Sequence, residues 1–316
     1  MKSKAFSLLL AELSKLNTNQ VKHVIEFLCS KDAMREAEEI IAAEYTRPIC
    51  PSCGKSAATK WGIVSGLQRY RCKKCKRTFN ALTGTSMARL RKKELWIEYS
   101  QALADSLSLT KAAERCGVDR TTAFRWRHRF LQNTGQADSQ CTGITEIDET
   151  YFRESYKGRK VSHRKARTRG GLSVRGLSKE QVAVVIARDR EGHTHDAVLA
   201  NHTAKEVKIR LGTVIGSESM LCIDKSRVLV KFAKSTELAF ETVDRKQRRG
   251  RDKVFHIQNV NAYHSRLKTW MRRFNGVATE RLENYLCWQR LHELILPSPE
   301  KWLHSMVHGK IHIKRN

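Results

Sequence analysis

Apolar residues recur at helical spacing at the start of the chain: Phe6, Leu9, Leu10 and Leu13, then Val21, Val24, Ile25 and Leu28 after Asn17 and Thr18. This period predicts two or three short amphipathic helices ending near Ala43, with an apolar face that packs on itself or against a partner. A hairpin pattern follows, in which Ile63, Val64, Leu67 and Tyr70 flank Gly66, and Phe79 can close a small core. Lys92 to Leu107 reads as a helix. Next, Leu109 to Trp126 reads as two short helices around Gly117, with Ala112, Ala113 and Cys116 on the first apolar face. Ala123, Trp126 and Phe130 form the second face, and Asp119 is placed to cap its helix.

Beyond Gln140 the period falls to two. Ile144, Glu146 and Asp148 alternate with Thr145, Ile147 and Glu149, which predicts a strand with two distinct faces. Gln181–Arg188 is an apolar run suited to a buried strand, and a third strand is expected around His195 to Leu199. A short helix over 205–213, a strand over Met220–Asp224, and helices over Val228–Leu238 and Asn259–Phe274 complete an α/β order. These elements predict five segments: a helical prefix (1–45), a β ribbon (46–82), a helix-turn-helix (90–134), an α/β domain (140–297) and a basic tail (298–316).

Charge changes this picture most. The 316 residues carry a formal net charge of +28, which calls for a polyanionic partner, with nucleic acid foremost. The excess is uneven: net −1 over residues 1–46, +14 over 47–134, +9 over 135–254 and +6 over 255–316. A dense basic loop over 153–175 includes Arg164, Lys165, Arg167 and Arg169, placed to contact phosphates, and a shorter run spans Arg245 to Lys253. No apolar run is long enough for a membrane span, and the start lacks a secretory pattern, so a cytoplasmic protein with no membrane partner is expected.

Nine cysteines, an odd number, argue for a reducing compartment rather than a disulfide framework. Cys50-Pro-Ser-Cys53 and Cys72-Lys-Lys-Cys75 form two C-x2-C pairs, the spacing that aims four thiolates at one structural Zn²⁺. Lys73 and Lys74 lie within the second pair, where they can meet a DNA backbone. In the helix-turn-helix, Arg120, Thr121, Thr122 and Arg125 stand near the start of the second helix, where this motif reads a major groove. The density of Arg120, Arg125, Arg127 and Arg129 favours duplex DNA.

Asp148 and Asp224, each near a strand end, suggest a divalent-metal site, with Glu146 and Glu149 as rival ligands. Asn261, Ser265, Lys268 and Arg272 lie along one face of the last helix, so Asn261 and Lys268 can address one substrate. His193, His195, His256 and His264 show no clean ligand spacing.

Ile147-Asp148-Glu-Thr-Tyr-Phe, Cys222-Ile-Asp224 and Asn261-Ala-Tyr-His-Ser-Arg-Leu-Lys268, with Arg273-Phe-Asn-Gly-Val-Ala-Thr-Glu behind them, resemble the DDE-type transposases of bacterial insertion sequences. The resemblance is to the ISXO-like group in which Asn replaces the third acid, giving an Asp-Asp-Asn-Lys set. The order zinc ribbon, helix-turn-helix, catalytic domain also resembles that group. Lys225 stands where the group usually has Gly, and Val228 where an aromatic is common. The resemblance implies an RNase H-like catalytic domain and strand cleavage followed by 3′-hydroxyl transfer. It implies two Mg²⁺ or Mn²⁺ ions held by Asp148, Asp224 and Asn261, with Lys268 on a phosphate. It further implies a nucleoid-associated homodimer or higher synaptic multimer acting on element ends and target DNA.

Overall fold

A computed structural model describes residues 3–43, 45, 48–132, 140–159, 180–243, 254–294 and 298–308. These fall into two compact units, residues 3–125 with 298–308 and residues 126–294. The basic segments 160–179, which holds Arg164, Lys165, Arg167 and Arg169, and 244–253 lie outside the described residues.

The first unit begins with α1 (Ser3–Leu13) and α2 (Thr18–Ala42). Asn17 separates them for a local reason. Its side chain accepts from Gln20 N–H at 3.0 Å while the Gln20 side chain accepts from Asn17 N–H at 2.9 Å, a reciprocal cap that starts α2 afresh. Two helices therefore form, the second much longer than the sequence period suggests. A three-stranded antiparallel sheet follows: β1 (Ala58–Val64), β2 (Leu67–Cys72) and β3 (Thr78–Phe79). Ser65 and Gly66 turn between β1 and β2 with φ of 50° and 75°. A Cβ on Gly66 would overlap the Glu38 carboxylate, so glycine here serves both the turn and a close approach to α2. Lys93 ties the two together, donating to Glu38 Oε1 at 2.6 Å and to the Ser65 carbonyl.

Lys93–Leu95 is a 3-10 turn, and α3 (Trp96–Ala104) and α4 (Leu109–Arg115) follow, so the stretch expected as one helix from Lys92 to Leu107 is shorter and starts with a tighter turn. The Ser108 hydroxyl accepts from Lys111 N–H and caps α4. Then α5 (Arg120–Gln132) begins behind Asp119, whose carboxylate accepts from Thr121 N–H at 2.7 Å. Within the segment expected as a basic tail, Pro299–His308 forms a helix (named α10 below) that buries Trp302, Leu303, Met306 and Val307 and lies against α2 and α3.

The second unit is built on a five-stranded mixed sheet. Its strands are β4 (Ile144–Arg153), β5 (Gln181–Asp189), β6 (Thr194–Val198), β7 (Met220–Ile223) and β8 (Phe240–Thr242), in spatial order β6-β5-β4-β7-β8. The first three are antiparallel neighbours, while β7 and β8 run parallel to β4. With α6 (Ala204–Leu211) and α7 (Arg227–Lys234) between the later strands and α8 (Gln258–Arg272) and α9 (Leu282–Leu294) after them, this is a mixed α/β RNase H-like domain.

The alternation in β4 sorts the core into two layers. Ile147 joins Val185, Ala187, Val207, Leu211, Leu229 and Phe232 on one face. Ile144 and Phe152 meet Val184, Ile186, Cys222, Val260, Tyr263 and Leu267 on the other. That second layer brings α8 onto the face carrying Glu146 and Asp148. No helix among the described residues is long and apolar enough to cross a membrane.

Candidate functional site

The four cysteines converge. The two C-x2-C turns are built alike: Gly54 N–H donates to the Cys50 carbonyl at 2.8 Å and Lys76 N–H to the Cys72 carbonyl at 3.0 Å, while Gly54 and Lys76 both take positive φ. Each turn aims its thiols inward, and all four Sγ atoms lie within 4.8 Å of one another. Cys50 and Cys75 are 3.5 Å apart and Cys53 and Cys72 3.6 Å, close to the edge of about 3.8 Å for a tetrahedron with Zn–S bonds of about 2.3 Å. The N–H of Cys75 helps to hold the Cys72 thiol below its usual range, which favours a thiolate. The donor set fits zinc. Phe79 and Tyr70 stack over the cluster with Tyr45, whereas Ile63 and Val64, expected to support the hairpin, are exposed. Lys73 and Lys74 are exposed at the second turn, and Arg71 sits 4.6 Å over the exposed Trp61 ring.

In the helix-turn-helix, the small apolar residues Ala112, Ala113, Cys116 and Ala123 are buried as expected, and Gly117 takes φ 57° at the turn. Arg120, Thr121 and Arg125 are exposed and Thr122 half-buried. Arg127 departs from the expected basic face. It is 1% exposed, with its guanidinium 4.7 Å over Trp288 and 6.0 Å from Phe274. Its spacing fits a helix face, but aromatic stacking desolvates it and removes it from any DNA contact.

On β4 and β7 the pairing is decisive. Ile147 pairs with Ile223 in parallel register, and Asp148 and Asp224 each follow by one residue. Asp224 thus follows the end of β7 as expected, whereas Asp148 lies in mid-strand, because β4 runs on to Arg153 past the point where its pairing with β7 stops. Asp148 Oδ1 accepts from Glu149 N–H at 2.8 Å, and Asp224 Oδ1 accepts from Ser226 N–H at 2.8 Å, which fixes the turn into α7. From α8, His264 Nδ1 comes to 3.8 Å from Asp148 Oδ2. Asn261 lies one turn before His264 and Lys268 one turn after it, on the same helix face, Asn261 half-buried and Lys268 exposed. Burial, with the nearby Lys268 charge, pushes His264 down to about 4. His264 is the residue that spacing alone missed. Its signal was its place between Asn261 and Lys268 on one face, visible only once α8 is known to cover Asp148.

The rival acids have other work. Glu146 is buried, with Arg190 Nη1 at 2.8 Å and His256 Nδ1 at 3.2 Å from Oε1, and its Oε2 accepts from Val260 N–H at 2.9 Å. It anchors the N-terminal turn of α8, where a carboxylate also meets the helix dipole. Glu149 points to the opposite face. There His202 Nε2 is 2.9 Å away, Tyr151 O–H donates at 3.0 Å and Ser226 O–H at 3.5 Å. Burial, reinforced by Glu149, raises the Tyr151 phenol well above its ordinary value. Ser226 therefore bridges Glu149, through its hydroxyl, to Asp224, through its N–H. Of the other histidines, His193 pairs with Asp189 at 2.7 Å in the β5–β6 turn and His195 is buried in β6. Among the described residues, the four cysteines are the only set of three or more His, Cys, Asp or Glu ligand atoms this close together.

Residues 140–288 match the ISXO2-like transposase domain, and residues 88–140 match a homeodomain-like domain. The chain is 28% identical over 271 residues to an uncharacterized protein in transposable element ISH50 of Halobacterium salinarum, covering 80% of this chain and 87% of that protein. Among solved structures, a simian T-cell lymphotropic virus intasome in complex with a PP2A regulatory subunit is similar at 12% identity and TM-score 0.32, over 63% of this chain and 69% of that one. A Mos1 transposase paired-end complex is similar at 13% identity and TM-score 0.24, over 68% and 80%. TM-scores this low describe partial overlap. Residues 140–288 are thus similar to the ISXO2-like transposase domain and residues 88–140 to a homeodomain-like domain, and the chain also holds a four-cysteine cluster whose geometry fits zinc.

Proposed function

We propose that this protein is a DNA transposase that binds the terminal repeats of its insertion sequence, cuts DNA there and joins the freed 3′-hydroxyl to target DNA. The observation that carries this reading is the register of β4 and β7, which sets Asp148 beside Asp224 on the face that α8 covers. Asp148 and Asp224 supply hard oxygen donors for Mg²⁺ or Mn²⁺, and Asn261 adds a neutral amide oxygen. Two ions held there would supply Lewis acidity for polarising the scissile phosphate and activating the attacking oxygen.

The chain's own residues position these groups. Glu149 and Ser226 N–H groups orient the two carboxylates, and Glu146 fixes the first turn of α8, which carries Asn261. Lys268, exposed on the same helix face, neutralises a phosphate of the bound strand. Zn²⁺ at Cys50, Cys53, Cys72 and Cys75 holds the small sheet, presenting Lys73 and Lys74 to the DNA backbone. Arg120, Thr121, Thr122 and Arg125 read the duplex. Arg164, Lys165, Arg167 and Arg169 add phosphate contacts, and catalysis takes place in a multimer.

The test uses purified protein, Mg²⁺ or Mn²⁺, and duplex DNA carrying the element's ends. Cleavage is expected, and Asp148→Ala or Asp224→Ala should abolish it while leaving DNA binding in place. Binding without cleavage by the parent protein would favour a second reading, a DNA-binding regulator with a silent catalytic domain. The exposed Lys225 directly after Asp224 is the observation on its side.

A further inference from the structure

Residues 3–33, with four Lys against three acids, contribute almost nothing to the positive excess and no chemistry to the reading above, yet they hold the most conspicuous surface of the first unit. Residues 4–12 of α1 are all exposed, and α2 fully buries nothing before Ala37. The exposed side chains are apolar. Phe6, Leu9 and Leu10 on α1, and Val21, Ile25 and Leu28 on α2, range from 39% to 56% exposed, and each set recurs at spacings of three and four. An eleven-residue helix is marginal by itself in water, so α1 needs a packing partner to persist. More than half of the exposed large apolar side chains described lie between Phe6 and Leu28.

Charge selects the partner. Residues 1–46 are net −1, while the rest of the chain carries +29. The helices neutralise themselves locally, with Lys15 and Glu12 2.7 Å apart and Arg35 and Asp32 3.1 Å apart. Nucleic acid finds no positive excess here. A second copy of this chain is repelled by the basic remainder and meets no such barrier on this segment. Size agrees as well. At roughly 100 Å² each, the six side chains on these faces supply on the order of 600 Å² per copy, most of the roughly 800 Å² each partner contributes to a standard stable interface.

We propose that residues 3–33 are the contact between two copies of this chain, the apolar faces of α1 and α2 from each copy closing together around a two-fold axis. Exposure and charge alone define this contact, whether or not the protein cuts DNA.

Sedimentation velocity of the full-length protein at moderate salt without DNA tests this. A dimer is expected for the parent. Leu9→Gln with Leu28→Gln, which keeps helix propensity, should raise the dissociation constant by about 100-fold while circular dichroism and zinc content stay unchanged. Hydrogen exchange of the unaltered protein gives a second readout, with α1 amides gaining protection as concentration rises. A monomeric parent, a dimer unaffected by both substitutions, or α1 amides whose protection ignores concentration would overturn the proposal. So would a monomer that gains α1 protection only on phosphatidylcholine vesicles, which would assign the face to a lipid surface.

Discussion

The two sheets of this protein are stabilised by opposite means. Among the described residues, the cluster at the three-stranded sheet buries Cys50, Cys72 and Phe79, with Leu67 buried at the start of β2, and the outer strand leaves Trp61, Ile63 and Val64 exposed. The five-stranded sheet is covered on both faces, with apolar layers from α6 and α7 on one side and α8 on the other. A short sheet with one small core cannot offset the entropy of ordering its loops, so a metal must supply what packing lacks. The larger sheet has apolar burial to spare, and so can place polar groups inside it.

Metal removal breaks this contrast most sharply. Apparent binding energies for structural zinc are about 10 kcal/mol or more, far above what the small core can replace. Chelation under reducing conditions, or Cys72→Ser, should abolish amide protection across β1–β3, while amides of β4 and β5 keep theirs. Hydrogen exchange read by mass spectrometry checks it. Equal loss in β5 would mean that the larger sheet also depends on the metal.

The second effect lies inside the larger unit. Arg290 is fully buried, pairs with Asp196 and donates to the Asp196 carbonyl at 3.0 Å, while Tyr263 O–H donates to Asp196 Oδ2 at 2.6 Å. Burial alone pushes the Arg290 guanidinium down to about 10. Arg290→Ala leaves Asp196 buried without its counter-ion and should cost about 3–5 kcal/mol in urea unfolding. Arg266→Ala, at the half-exposed pair with Glu293, should cost less than about 1 kcal/mol. Similar losses from the two would show that burial is not what sets the scale.

How much of this the sequence disclosed follows the same division. C-x2-C spacing is local, so the cysteine cluster was legible before any fold was known. So was the alternation of β4, because a period of two sorts residues to faces without knowledge of the neighbours. The register that sets Asp148 beside Asp224 is non-local, and only the family resemblance brought the two together. Glu146 and Glu149 stayed open as ligands for that reason: Arg190 and His256 approach one, and His202 and Ser226 the other, from distant segments. Arg127 was misassigned because its helix position is compatible with both a groove and an aromatic stack.

A smaller effect probes the polar support within the larger sheet. Glu149 does not share a face with Asp148, yet it reaches Asp224 through Ser226. Under the proposed function, Glu149→Gln should lower kcat for strand cleavage about 10-fold, equal to about 1.4 kcal/mol, with KM for DNA unchanged. Urea unfolding measured alongside separates positioning from stability. A stability loss with full kcat would make Glu149 a structural residue only.

A pH dependence of the larger unit gives a further probe, and His128 is one of the buried histidines that should contribute to it. The His128 ring is buried, and its Nδ1 takes the Asn284 side-chain N–H at 3.0 Å, which fixes a neutral tautomer. Burial, then the Arg281 and Arg127 charges, push it down to about 4 from the ordinary 6.5. Because the folded state resists protonation more than the unfolded chain does, this contribution is complete above pH 6.5. It declines as pH falls and is gone once pH passes below about 4. Allowing for partial solvent screening, the loss is about 2 kcal/mol. His128→Gln keeps a group able to meet Asn284 but cannot titrate, so its urea midpoint should fall less than the parent's between pH 6.5 and 4. Parallel pH profiles would mean that His128 is already solvated in the folded state. In that case the stack of Arg127 on Trp288 would not seal this part of the unit.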